Sequence, residues 1–135
     1  MYFEIRNTMG CSMRTRHEMF FENPLAINRS AICIEPTAIF LAWVKNFPVD
    51  ELELTLDDLR RDEMTYLIPE QEDEPDAWLR RNFKTIFEIE LGEWCTDESL
   101  WPKDRSFKAF KKYFIVHFCS SVVDLDKGAI ERESL

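Results

Sequence analysis

Asp76-Ala77-Trp78-Leu79-Arg80-Arg81-Asn82-Phe83-Lys84-Thr85-Ile86-Phe87-Glu88-Ile89-Glu90-Leu91-Gly92-Glu93-Trp94 is the stretch that decides the fold. Leu79, Phe83, Ile86, Phe87, Leu91 and Trp94 recur at steps of one, three and four, which places one apolar stripe of a helix against a core. Arg80, Arg81, Lys84, Glu88 and Glu93 take the opposite face. Pro75 or Asp76 opens the helix, since proline's missing N–H costs nothing in a first turn. Phe83 and Phe87 lie one turn apart and are expected to pack on a sheet with Phe114 or Phe118.

Upstream, Met64 to Ile68 reads as a strand closed by Pro69, followed by an acidic loop from Glu70 to Asp76. Thr55-Leu56-Asp57-Asp58 has the form of a capping box and starts a short helix to about Glu63, with Leu56 and Leu59 inward. Before it, Ile39, Phe40, Trp43, Val44 and Phe47 predict about three helical turns between Pro36 and Pro48. Ile27 to Ile34 is β-branched and partly alternating, and so a strand. Downstream, a turn from Thr96 to Pro102 leads to a short helix, Arg105 to Lys112. Tyr113 to Val123 then alternates as one strand, with Phe114, Val116 and Phe118 on one side and Ile115, His117 and Cys119 on the other.

The order β-α-α-β-α-α-β lacks the strict alternation of a doubly wound sheet. It predicts an α+β fold, a small and mainly antiparallel sheet of three to four strands covered by helices. Residues 25–126 are read as one domain and 127–135 as a polar tail. Residues 1–24 hold four of the five methionines and no leucine, and are read as a loosely attached extension, with a downstream start codon as a second option.

Composition narrows the function. The chain has 135 residues, 45% of them apolar and 32% charged, which fits one globular domain. Gly10, Gly92 and Gly128 are its only glycines and lie far apart, which excludes a phosphate loop or dinucleotide fingerprint. A net charge of −9 disfavours nucleic acid and anionic lipid as partners. No apolar run approaches the ~20 residues of a membrane helix. The start Met-Tyr-Phe-Glu-Ile-Arg has no export-signal pattern, so Cys11, Cys33, Cys95 and Cys119 are expected to be reduced thiols in a cytosolic protein.

Tyr66-Leu67-Ile68-Pro69-Glu70, Ile86-Phe87-Glu88, Trp94, Asp97-Glu98, Trp101-Pro102, Arg105 and Phe110 together resemble a family of small bacterial proteins called uncharacterised. The resemblance spans Ile27 to Leu125 and leaves the first 24 residues outside it. It implies a bacterial cytosolic setting and carries no chemistry.

Three groups of residues are candidates for chemistry. His117 and Cys119 share one strand face, and Cys33 joins them if the first and last strands pair, giving three of zinc's four ligand positions. Zinc ligands usually come in tight local pairs, which are missing here. The plainer reading is a buried strand face with no metal and no cofactor. The same pair suggests a Cys–His nucleophile, but same-face neighbours sit roughly 6–7 Å apart at Cα and no glycine turn follows to form an oxyanion hole. Glu90 lies beside the apolar stripe and is expected to meet Arg105 or Lys108. Glu90, His117 and Cys119 are therefore the catalytic candidates, and none has the spacing of a known active site.

Charge is unevenly spread. Phe47 to Asp76 carries twelve acids against Arg60 and Arg61, whereas Lys103 to Lys112 carries five cations against Asp104. Arg105, Lys108 and Lys112 share one helical face, and with Trp101 they are the candidate binding residues. Of the two indoles bracketing the turn, Trp94 is expected in the core and Trp101 is left open between core and surface. The favoured reading is a non-catalytic module that binds another protein or regulates it. A small enzyme with a carboxylate or Cys/His centre is the first alternative, and anion or nucleic-acid binding through helix 103–112 is the second.

Overall fold

A computed structural model describes residues 25–47 and 53–135. The predicted extension, residues 1–24, and Pro48 lie outside the described residues. The chain forms two compact units, one spanning 29–120 and the other containing 25–28 and 121–135. In the smaller unit, β1 (Leu25–Ile27) pairs antiparallel with β5 (Val122–Asp124), Ala26 opposite Val123.

The larger unit is built on a three-stranded antiparallel sheet. β2 (Arg29–Pro36) lies between β3 (Met64–Pro69) and β4 (Phe114–Cys119). Ile32 stands opposite Tyr66 and Phe118, and Ile34 opposite Met64 and Val116. Period-two alternation then sends Ile32, Ile34, Ile68 and Phe114 into the core. Ser30 is fully buried on this face: its hydroxyl donates to Ser120 O at 3.0 Å and accepts from Gln71 N–H at 2.8 Å.

Helices cover that face. They are α1 (Ala38–Val44), α2 (Leu56–Arg61), α3 (Asp76–Gly92) and α4 (Phe107–Tyr113), with a 3-10 turn at Glu98–Leu100. The α+β prediction is shown, with four α-helices and five strands among the described residues. In α3, Leu79, Phe83, Ile86, Phe87 and Leu91 are all buried, as their spacing predicts. Phe87 sits at the centre of a ring cluster, 5.7 Å from Phe110, 5.5 Å from Tyr113 and 5.6 Å from Phe114. Such tilted and edge-on pairs add ~0.5–1.5 kcal/mol each beyond area burial. Phe83 packs on Phe107 and Phe110 of α4.

Caps explain the element ends. Thr55 and Asp58 form the predicted capping box, with Thr55 Oγ1 accepting from Asp58 N–H and Asp58 Oδ2 accepting from Thr55 N–H. Thr37 donates its N–H to Tyr113 O at 2.9 Å and its hydroxyl to Lys112 O at 2.6 Å, which satisfies carbonyls at the end of α4.

Four expectations need correcting. The strand read over Ile27 to Ile34 is interrupted at Asn28, so that Ile27 ends β1 and Arg29 begins β2. Helix α1 has seven residues, about two turns, and Ile39 is 47% exposed, whereas Phe40, Trp43 and Val44 are its buried positions. The last strand is broken at Ser120–Ser121, and its two pieces join different sheets. Trp94 lies beyond the end of α3 and is exposed, while Trp101 is buried, its indole N–H donating to Cys95 O at 2.7 Å.

Candidate functional site

The outer face of the sheet carries the Cys/His candidates. Cys33 is opposite His117 on β4 and Thr65 on β3, so the first and last strands do bring these residues together. The face is not buried, as the sequence suggested: His117 and Cys119 are exposed and Cys33 is half-buried, because the helices all pack on the other side. Their polar contacts also diverge. Cys33 Sγ lies 3.0 Å from Thr65 Oγ1. His117 Nε2 is 2.8 Å from Glu35 Oε1, and Arg60 Nη2 is 2.8 Å from Glu35 Oε2. Glu35 thus bridges an imidazole and a guanidinium in a partly exposed network worth roughly 1 kcal/mol or less. The imidazole is engaged by a carboxylate rather than by a thiol. Among the described residues no group of three His, Cys, Asp or Glu side chains is placed to hold a metal ion.

Glu90 meets neither Arg105 nor Lys108. Its position on the flank of α3 turns it toward β3, where Tyr66 Oη donates to Glu90 Oε2 at 2.5 Å. Burial raises the Glu90 pKa and the charge of Glu93 adds to the rise, while the hydrogen bond from Tyr66 opposes it. Burial also raises the Tyr66 pKa, and the adjoining Glu90 carboxylate raises it further, so the phenol keeps its proton and remains the donor.

Glu90 belongs to a cleft of about 430 Å³ between α2, β3 and the end of α3. Five carboxylates line it, from Asp58, Asp62, Glu63, Glu90 and Glu93. Among the described residues Arg61 is the one cation in that lining, and it is already bound to Asp58 at 3.1 Å. The floor is apolar, including Phe40, Ile34 and Leu59. Trp94 stands at this cleft with 39% of its surface exposed.

On the other flank of α3 a second cleft, about 420 Å³, brings together Lys84, Lys103 and Arg105 above Trp101 and Phe87. Of the four predicted binding residues, Trp101 and Arg105 line it, whereas Lys108 and Lys112 do not. Arg105 donates Nη1–H to Pro102 O at 2.7 Å and lies 5.6 Å from the Trp101 ring. Asp104 neighbours Lys108 and Lys112. Its carboxyl is held below the usual range chiefly by hydrogen bonds from Ser106, with the two lysines helping.

Sequence reasoning missed Tyr66, Trp94, Lys84 and Lys103 as site residues. Only the positions of Lys84 and Glu90 on different flanks of one helix hinted at two clefts. No helix among the described residues is long and apolar enough to cross a membrane. No family model, curated protein or solved structure matches the chain.

Proposed function

We propose that this protein is a non-catalytic binding module that engages another protein, in the bacterial cytosolic setting the resemblance implies, and that the acidic cleft receives a lysine or arginine of the partner. The observation that carries this reading is five carboxylates and an exposed indole around an apolar floor, with Arg61 as the only lining cation among the described residues. A partner cation would gain Coulomb attraction from the carboxylates and a cation–π contact on Trp94, while its aliphatic stem covers the floor. Burial raises the Glu90 pKa and the charge of Glu93 adds to the rise, so an incoming cation would stabilise the ionised form of this carboxyl. The dispersal of the catalytic candidates also supports a binding role, since Glu90 sits in this cleft and His117 and Cys119 on the outer sheet face.

The test uses a lysine- and arginine-rich peptide and an acidic peptide as control, read by tryptophan fluorescence and calorimetry. The basic peptide is expected to bind, more weakly as salt shortens the Debye length to ~8 Å at physiological strength. Glu93→Lys and Trp94→Ala, both at exposed positions, should each weaken it at least ~10-fold, or ~1.4 kcal/mol. Affinity capture from the host with the parent protein and these two variants as baits then identifies the partner. Unchanged binding in both variants refutes the reading.

A further inference from the structure

The second cleft is chemically unlike the first. Lys84 reaches it from α3, and Lys103 and Arg105 from the segment before α4. Among the described residues none of the three makes an ion pair, although Glu88 and Glu98 line the same cleft and Lys84 and Glu88 are one helical turn apart. Helical i,i+4 neighbours of opposite sign ordinarily attract by ~0.2–0.5 kcal/mol. Here the ammonium and guanidinium groups keep donors free. Arg105 commits one N–H to Pro102 O and is steadied over Trp101, which leaves four of its five donors. The floor is rigid: Phe87 and Trp101 are buried, and Trp101 is tied to Cys95 O.

We propose that this cleft binds the oxyanion end of a small molecule, a phosphate monoester or a carboxylate. Three cations against two carboxylates leave one net positive charge, which suits a single anionic group and not an extended polyanion. Glu88 and Glu98 would accept hydrogen bonds from hydroxyl or amino groups on the rest of the ligand. A volume of about 420 Å³ is within the usual size of small-molecule sites, ~300–1,000 Å³.

The experiment is an NMR titration of the full chain, labelled with nitrogen-15, with inorganic phosphate, acetate and chloride in separate arms at equal ionic strength. Saturable shifts of the Trp101 indole N–H and the amides of Lys103 to Ser106 are expected from phosphate or acetate, with a dissociation constant of ~1–10 mM. The arm that saturates identifies which oxyanion the site prefers. Lys103→Gln and Arg105→Gln, each checked for an unchanged fold by its spectrum, should weaken binding at least ~5-fold. Lys108→Gln, outside the cleft, should leave it unchanged. Shifts that match the chloride arm, that fail to saturate, that persist in both cleft variants or that vanish equally in Lys108→Gln overturn the proposal. None of these outcomes involves the acidic cleft, so the two proposals stand or fall separately.

Discussion

Glu90 and Tyr66 offer the sharpest test of how the acidic cleft is built. Glu90 is a half-buried carboxylate with Glu93 nearby and one hydrogen bond, from Tyr66 Oη. Burial, the largest influence, raises its pKa above the ordinary glutamate value. The folded chain therefore holds this proton more tightly than the unfolded chain. By linkage, ionised Glu90 subtracts from stability at pH above its folded pKa, and the deficit disappears as pH falls to the unfolded value of about 4.3. Glu90→Gln keeps an acceptor for Tyr66 and removes the charge. It should match or exceed the parent at neutral pH by up to ~1 kcal/mol, and the gain should vanish near pH 4. Tyr66→Phe removes the donor and leaves the carboxylate unpaired, a loss of ~1–2 kcal/mol at neutral pH that shrinks once Glu90 is protonated. Urea melts of the three proteins at about pH 4, 5.5 and 7 read both slopes. If Glu90→Gln lost ~2 kcal/mol at neutral pH and recovered in acid, the carboxylate would be stabilised as an ion. Hydrogen bonding to the ionised form would then outweigh burial at Glu90.

Two further outcomes test the core. Phe87→Ala removes a 1% exposed ring that meets Phe110, Tyr113 and Phe114, and should cost ~3–5 kcal/mol in urea melts, while Arg81→Ala, on the solvent side of the same helix, should cost under ~0.5 kcal/mol. Ser30→Ala strips Gln71 N–H of its acceptor at a fully buried position, and should cost ~1–3 kcal/mol and speed hydrogen exchange at the Gln71 amide.

The legible parts of this fold were those where one periodicity dominates. The α3 stripe and the alternation of Phe114, Val116 and Phe118 on β4 follow from spacing alone. So does the cap at Thr55 and Asp58, because its geometry needs only four consecutive residues. The breaks were harder. Ser120 and Ser121 interrupt an otherwise continuous β-branched run, and which sheet each half joins depends on partners far away in the chain. Trp94 continues the arithmetic of the stripe by one more step, but α3 ends at Gly92 and Trp94 is exposed in the turn that follows. Of the site, the pairing of Cys33 with His117 was foreseeable; its exposure was not, since pattern does not say which face of a sheet the helices cover.

The position of the two clefts follows from helical phase. Successive residues of an α-helix turn by about 100°. Glu88 and Glu90 therefore point roughly 200° apart, whereas Glu90 and Glu93 lie within about 60° of each other and Lys84 and Glu88 within about 40°. Glu90 and Glu93 fall on one flank of the buried stripe and Lys84 and Glu88 on the other, where the acidic and cationic clefts are found. Inserting one residue in α3 would swing Glu90 and Glu93 by 100° relative to the preceding turns. It would also turn Leu91 out of the core, so site and stability would be lost together. Point changes at exposed Glu93 or Lys103 share no lining residue with the opposite cleft, and their effects should add. A Glu93→Lys, Lys103→Gln double variant that showed coupling between basic-peptide and oxyanion binding would mean that α3 transmits charge or motion across the core.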